Sequence, residues 1–286
     1  MNHIAFDSFD FKKDLSSFIG AVAFLFVDDD HWLKETIDHL NHLGFSRIYA
    51  IGPKVSDFKH ESEALVWLTL PQIYNEVAVD ILNTTMSDLV GHWVYYCFNG
   101  EFLHFPFDET RKIDDFTAFL AEERRVTALS TKIDIYPGAS ILDLKKLKVS
   151  QCWLDQVGYY SNIGRDQFNN QIANSLNVQG GFRWRLAEHL PVDSQTLNRN
   201  SIFFPQHKLR LLPNFNFSSL EYETAHAAWH RSPTTVTASI RAYKYLREHN
   251  RADDFIGNLK YKGSLPYQQR GRQFLELGFM EPGQWF

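Results

Sequence analysis

The chain has 286 residues, of which 44% are apolar and 15% aromatic, with a net charge of −5 and a pI near 6.2. That length fits one large domain, or one domain with a substantial appendage, and the negative balance argues against a general nucleic-acid or anionic-membrane surface, since both favour basic patches. No run of about 20 apolar residues exists, which excludes a helical membrane span; with a polar, acidic N-terminus and two cysteines, Cys97 and Cys152, at no metal or redox spacing, a cytoplasmic protein with buried thiols is expected.

Residues 1–18 read as an N-terminal arm. Ala21 to Gly52, AVAFLFVDDDHWLKETIDHLNHLGFSRIYAIG, predicts strand, acidic turn, helix and strand. The apolar run Ala21 to Val27 ends on Asp28, Asp29 and Asp30. Leu33, Ile37, Leu40 and Leu43 recur at helical spacing, and Gly44 stands where a left-handed glycine closes a helix. A parallel β-α-β unit with a right-handed crossover follows. Ligands of open α/β sheets bind at the carboxyl ends of the strands, where the three aspartates lie.

Ala64 to Leu70 predicts a third strand, Tyr74 to Leu89 a helix entered from Pro71, and Trp93 to Phe98 a fourth strand. Asn99-Gly100 is a turn signal leading into Glu101-Phe102-Leu103. A helix capped by Asp114 or Asp115 runs to about Glu123, and Val126 to Tyr136 is a further strand. Such alternation predicts a mostly parallel sheet covered by helices. Gln151 to Asn177, rich in Asn, Gln, Tyr and Gly, reads as partly irregular. Gly180 to Arg185 reads as a glycine turn into an edge strand, Thr237 to Asn250 as a helix, and Asp253 to Leu277 as one or two more.

In their order these landmarks resemble the family 2-like glycosyltransferases of the GT-A type, in particular the bacterial branch related to family 92. The match rests on His39 to Gly44 (HLNHLG), Arg47-Ile48-Tyr49, Trp93-Val94, Glu101-Phe102-Leu103, Asp115 to Leu120, Gly180 to Arg185, and Ala227 to His230. The resemblance covers about residues 19 to 250. It implies an α/β GT-A-like domain over 19–250; beyond it, 251–286 reads from its own pattern as a helical C-terminal extension. It also implies transfer of a sugar from a UDP- or GDP-type nucleotide-sugar donor to a glycan acceptor. The family's Asp-x-Asp pair holds Mn²⁺ or Mg²⁺, but Phe98 and Gly100 stand at those positions, leaving Glu101 and Asn99 as the only candidate ligands. The family's Asp-Asn after the second strand falls at Gly52-Pro53.

Candidate site residues follow. Asp28, Asp29 and Asp30 either cap the following helix or contact the nucleotide or a cation; three exceed what capping needs. Asn99, Glu101 and His104 surround the expected reaction site, with Glu101 and His230 in catalytic roles. Arg183, Arg185 and Arg231, near His226, can meet phosphate. Asp155 and Asp166 are possible general bases. Tyr159, Tyr160, Trp153 and Trp184 either stack on sugars or pack the core. The loss of both metal carboxylates keeps two alternatives open: a catalytically inactive domain binding a glycan, nucleotide or partner protein, and a metal-independent transferase that uses basic residues.

Overall fold

The structure is a computed structural model describing residues 3–55, 58–139, 144–165, 168–191, 197–223, 232–249 and 259–285. The expected β-α-β unit is present: β2 (Val22–Phe26), α2 (Leu33–Leu43) and β3 (Arg47–Gly52), with β2 and β3 parallel and Ala23 opposite Ile48. Gly44 ends α2 at φ 87°, its N–H bonded to Leu40 and Asn41. Alongside lie β1 (His3–Ala5), α1 (Phe11–Leu15), β4 (Leu65–Thr69), α3 (Asn75–Thr85) and β5 (Val94–Phe98). With β11 (Ile202–Phe203) they form a six-stranded sheet, β1-β4-β3-β2-β5-β11, in which only β11 is antiparallel. Residues 3–15, read as an arm, therefore supply an edge strand and a helix to the main sheet.

Both faces of this sheet are covered, so β2 reads as a continuous apolar run, as parallel strands do. Phe24 and Phe26 pack with Phe11, Leu15, Ala78 and Leu82 on one side. Ala23 and Leu25 pack on the other with Leu33, Ile37 and Leu40 of α2, and with Phe116 and Leu120 of α4 (Ile113–Glu122). Each such fully buried aliphatic side chain contributes about 2 kcal/mol by removal from water.

Immediately after β5 the chain enters β6 (Glu101–His104), an edge of a second sheet. The other strands of that sheet are β7 (Ser130–Pro137), β8 (Cys152–Asp155), β12 (Thr235–Ser239) and β13 (Ser264–Pro266), in the order β13-β8-β7-β12-β6. Segment 197–203 joins the sheets: Tyr96 N–H donates to Ser201, Arg199 N–H to Ser130, and Lys132 N–H to Leu197. The four parallel strands β4-β3-β2-β5 thus point their carboxyl ends at the corner where β6 begins.

Two expectations fail, and one holds in part. Residues 151–177 are partly irregular, with a register shift between Gln171 and Leu176, but they also carry β8 and an antiparallel pair, β9 (Tyr159–Arg165) with β10 (Gln171–Gly180). Tyr160, Ser161 and Asn162 show little alternation of burial, so no apolar period marks the hairpin. Gly181–Arg185 is a short helix, α5, rather than an edge strand. Thr235–Ser239 is a buried strand, and the helix α6 (Arg241–Glu248) starts only after it; β-branched Thr235, Val236 and Thr237 favour the sheet. The last described stretch holds β13 and α7 (Gly271–Glu276). Among the described residues no helix is long and apolar enough to cross a membrane.

Candidate functional site

The acidic turn Asp28–Asp30 leaves β2 at its carboxyl end, as expected, but it does not cap α2. The residue before α2 is Trp32, in the left-handed region at φ 62°, and no side chain caps the helix. Trp32 is held there by its ring: Nε1 donates to the Leu147 carbonyl at 2.7 Å and the indole packs near Phe102. Each aspartate instead meets a distant cation. Asp28 pairs with Arg241, Asp29 with Lys244, and Asp30 with Lys145. The Asp30 pair is surface-exposed and contributes little; the other two link the turn to the first turn of α6.

Lys244 is 4% exposed. Its ammonium lies 3.0 and 2.9 Å from the two Asp29 carboxylate oxygens and 3.3 Å from the Asn99 carbonyl. Asn99 in turn donates from Nδ2 to the Asp29 carbonyl, the Asp29 carboxylate and the His31 carbonyl at 2.9, 3.1 and 2.8 Å. The predicted residues Asp28, Asp29 and Asn99 are therefore brought together. Arg241 uses Nη1 on Asp28, lies with its guanidinium 4.1 Å from the Phe98 ring centroid, and keeps 29% of its side chain exposed.

Two glycines shape this corner. A Cβ on Gly100 (φ +81°) would stand 2.8 Å from Ile240 Cγ2 and 3.3 Å from Lys244 Nζ. A Cβ on Gly52 would lie 2.3 Å from the Val27 carbonyl oxygen. Neither position has room for the carboxylate that the family pattern places there.

Glu101 is buried below the corner. Arg199 donates to its two oxygens at 3.0 and 2.5 Å, the Phe98 N–H donates at 2.9 Å, and Ser239 Oγ lies 3.4 Å away. Burial by itself would raise this carboxyl; the charge and hydrogen bonds of Arg199, with Arg241 and the Phe98 amide, overcome that and hold it down to about 2. Glu101 is thus an ion-pair partner, not a poised acid or base. A divalent cation needs several oxygen donors with free lone pairs. Here Glu101 is taken by Arg199, Asp29 by Lys244, and the Asn99 carbonyl by the same ammonium. Asn99 Oδ1 is a buried acceptor without a partner. The corner does not fit Mn²⁺ or Mg²⁺; an ammonium holds the place.

On β7 and β12, Asp134 and Ser239 are cross-strand partners, Ser239 faces Glu101 on β6, and Lys132 faces Thr237. Side chains two apart on a strand share a face, so Glu101, Ser239, Asp134, Thr237 and Lys132 share one. Arg183 of α5 grips Asp134 through Nε and Nη2 at 2.9 and 2.8 Å. Arg185 grips Asp155 at 2.9 and 3.2 Å, and the Tyr136 hydroxyl also donates to Asp155. Two of the three predicted phosphate-binding arginines, Arg183 and Arg185, are therefore spent on buried carboxylates. Asp155, fully buried between an arginine and a tyrosine, is a structural anchor, not a general base.

His104 is likewise turned away from the site. It lies 2.6 Å from Asp108 and 2.7 Å from the Tyr267 hydroxyl, tying β6 to the C-terminal segment. Trp153 packs beneath Lys260 and Tyr159 against Phe279. Tyr160 and Trp184 are 40% and 52% exposed and meet edge to face at 5.4 Å. His226, His230, Arg231 and Asp166 lie outside the described residues.

Arg199, Arg241, Lys244 and Lys132 were not legible as site residues. Arg241 and Lys244 did carry a signal, two cations three apart and so on one helical face; Arg199 and Lys132 carried none. Compared with known proteins, the chain matches no family model and no curated sequence.

Proposed function

We propose that the chain is a GT-A-type glycosyltransferase that moves a sugar from a UDP- or GDP-type nucleotide-sugar donor to a glycan acceptor without a divalent cation. The observation that carries this reading is the convergence of residues 28–30, 99–101 and 241–244 at the carboxyl ends of four parallel strands, the place where open α/β sheets take nucleotides. In this reading Asp28 and Asp30 contact the nucleoside. Arg241, with one donor on Asp28 and the others without a partner among the described residues, meets the diphosphate. Lys244 neutralises Asp29 where a metal would otherwise be needed. The acceptor oxygen bonds to the anomeric carbon as the carbon–oxygen bond to the diphosphate breaks. The electron pair leaves with the diphosphate, stabilised by Arg241, and the acceptor proton passes to a base. Neither Glu101 nor Asp155 supplies that base, since both are committed to arginines.

The saturation of Glu101 favours a second reading, a non-catalytic domain that binds a nucleotide or glycan. One experiment separates them. Purified protein is heated with UDP, GDP, CMP and dTDP and their common sugars, each with Mn²⁺, Mg²⁺ or EDTA, and donor hydrolysis is followed in parallel. A nucleotide-specific rise in melting temperature that survives EDTA, lost in Arg241→Ala, and donor turnover are expected. Binding without turnover supports the second reading, and no nucleotide response sinks the first.

A further inference from the structure

Lys132 is a half-buried lysine whose ammonium makes no hydrogen bond or ion pair with any described residue. The charged groups facing it are Arg183 of α5, Arg199 of the 197–203 segment, Glu101 of β6 and Asp134 of its own strand. Both carboxylates are already taken, Asp134 by Arg183 and Glu101 by Arg199. Among the described residues three cations thus face two anions, an excess of one positive charge. Burial, followed by the charges of Arg183 and Arg199, pushes its ammonium well below the ordinary lysine range. Such a group is costly to keep in an otherwise buried face unless something else uses it.

Hydroxyl and guanidinium groups lie in the same region. Ser130 Oγ, two residues before Lys132 and on the same face, is fully buried without a partner, as is Ser201 Oγ. Arg199 also keeps its Nε unpartnered and buried. Ser239 and Thr237 line the neighbouring strand on the same face. These are the donor and acceptor types that hold sugar hydroxyls.

We propose that Lys132 is the anchor of a subsite for one carboxylate, carried by an acidic sugar of the uronic-acid class. A single carboxylate cancels the single excess charge among the described residues; a phosphate dianion would overshoot it and leave one charge of opposite sign. Lys132 stands two residues before Asp134 and its partner Thr237 two before Ser239, so it lies about 7 Å deeper along the strands than the row next to α6. Its anion is therefore a different group from one bound at Arg241. That the carboxylate belongs to a transferred or accepting sugar rests on the transferase reading; the lysine site itself does not.

The test is calorimetric titration of the full chain with glucuronate, glucose and inorganic phosphate, repeated on Lys132→Gln and Lys132→Arg, with the nucleotide panel run on the same samples. Glucuronate is expected to bind at least about tenfold more tightly than glucose, which is one ion pair's worth of discrimination. Lys132→Gln should erase the difference, and Lys132→Arg should keep part of it. Equal binding of the two sugars, tighter binding of phosphate than of glucuronate, or a preference that persists in Lys132→Gln overturns the inference. A nucleotide response without uronate preference overturns it while sparing the transferase reading. Uronate preference without any nucleotide response does the reverse. A cooperative melt no lower than the parent's and unchanged circular dichroism establish that Lys132→Gln is folded.

Discussion

The ammonium of Lys244 lies 2.9 and 3.0 Å from the two carboxylate oxygens of Asp29, across 215 residues of chain, and 3.3 Å from the Asn99 carbonyl. Three oxygens around one buried cation resemble the beginnings of a metal site filled by a side chain. The relationship makes a prediction about metal response. Replacing Lys244 by Ala leaves the Asp29 carboxylate and the Asn99 carbonyl, with the unpartnered Asn99 Oδ1 beside them, open to a divalent ion. Mn²⁺ at millimolar concentration should then raise the melting temperature of Lys244→Ala by about 2 °C or more, the scale of a 1 kcal/mol linkage, and leave the parent unchanged. A parent that responds to Mn²⁺ as strongly as the variant would contradict the assignment.

The buried Glu101–Arg199 pair should show itself in the acid limb of stability. Glu101 titrates lower in the folded chain, about 2, than in the unfolded one, near the ordinary carboxylate value of 4.5. Its contribution is therefore complete above pH 4.5 and is lost as pH falls from there toward 2. The shift corresponds to about 3 kcal/mol. Glu101→Gln should destabilise at neutral pH by about 3 kcal/mol, because Arg199 is left charged and buried. Combining Glu101→Gln with Arg199→Met should recover much of that loss, and urea melts of the four proteins in the cycle measure it.

What could be read in the sequence follows from what each element buries. β2, α2 and β3 were legible because each has one environment along its whole length, so apolar runs and a helical period stand out. Asp28 to Asp30 stood out as a charge excess. Their roles did not, because the deciding partners are remote: Arg241 is 213 residues from Asp28, and Arg199 is 98 from Glu101. Glu101 looked like a catalytic residue only while Arg199 was out of sight. Arg183 and Arg185 looked like phosphate ligands for the same reason, since Asp134 and Asp155 lie 49 and 30 residues away. The hairpin of β9 and β10 left no apolar period to read, and the last three residues of β12, Thr237 to Ser239, were absorbed into the helix that follows.

His104 joins β6 to the last part of the chain, with Asp108 on one ring nitrogen and Tyr267 on the other. The Gly271 N–H also donates to Asp108, at 2.8 Å. Tyr267→Phe removes one partner from a fully buried imidazole. It should cost about 1–2 kcal/mol in urea unfolding, the penalty of a buried polar atom left unpaired. Nucleotide binding should stay unchanged, because this clasp lies outside the Asp28–Arg241 corner. A loss of nucleotide response at intact stability would mean that the C-terminal segment reaches the site.

Lys132 yields a prediction of opposite sign. Most substitutions of a half-buried residue destabilise, yet here the native side chain holds a charge that no described group neutralises. Lys132→Met keeps a similar length and apolar stem and removes the charge, so the variant should be more stable than the parent by about 1 kcal/mol near neutral pH. The sign of the pH dependence follows from the lowered lysine. Its protons are held less tightly in the folded chain than in the unfolded one, so the parent gains stability as pH rises through the folded value toward the ordinary 10.5. The advantage of Lys132→Met should therefore shrink from pH 6 to pH 10. Urea midpoints of both proteins at those two values decide the matter: a variant less stable at pH 6, or an advantage that grows with pH, would show that Lys132 is an ordinary packing residue.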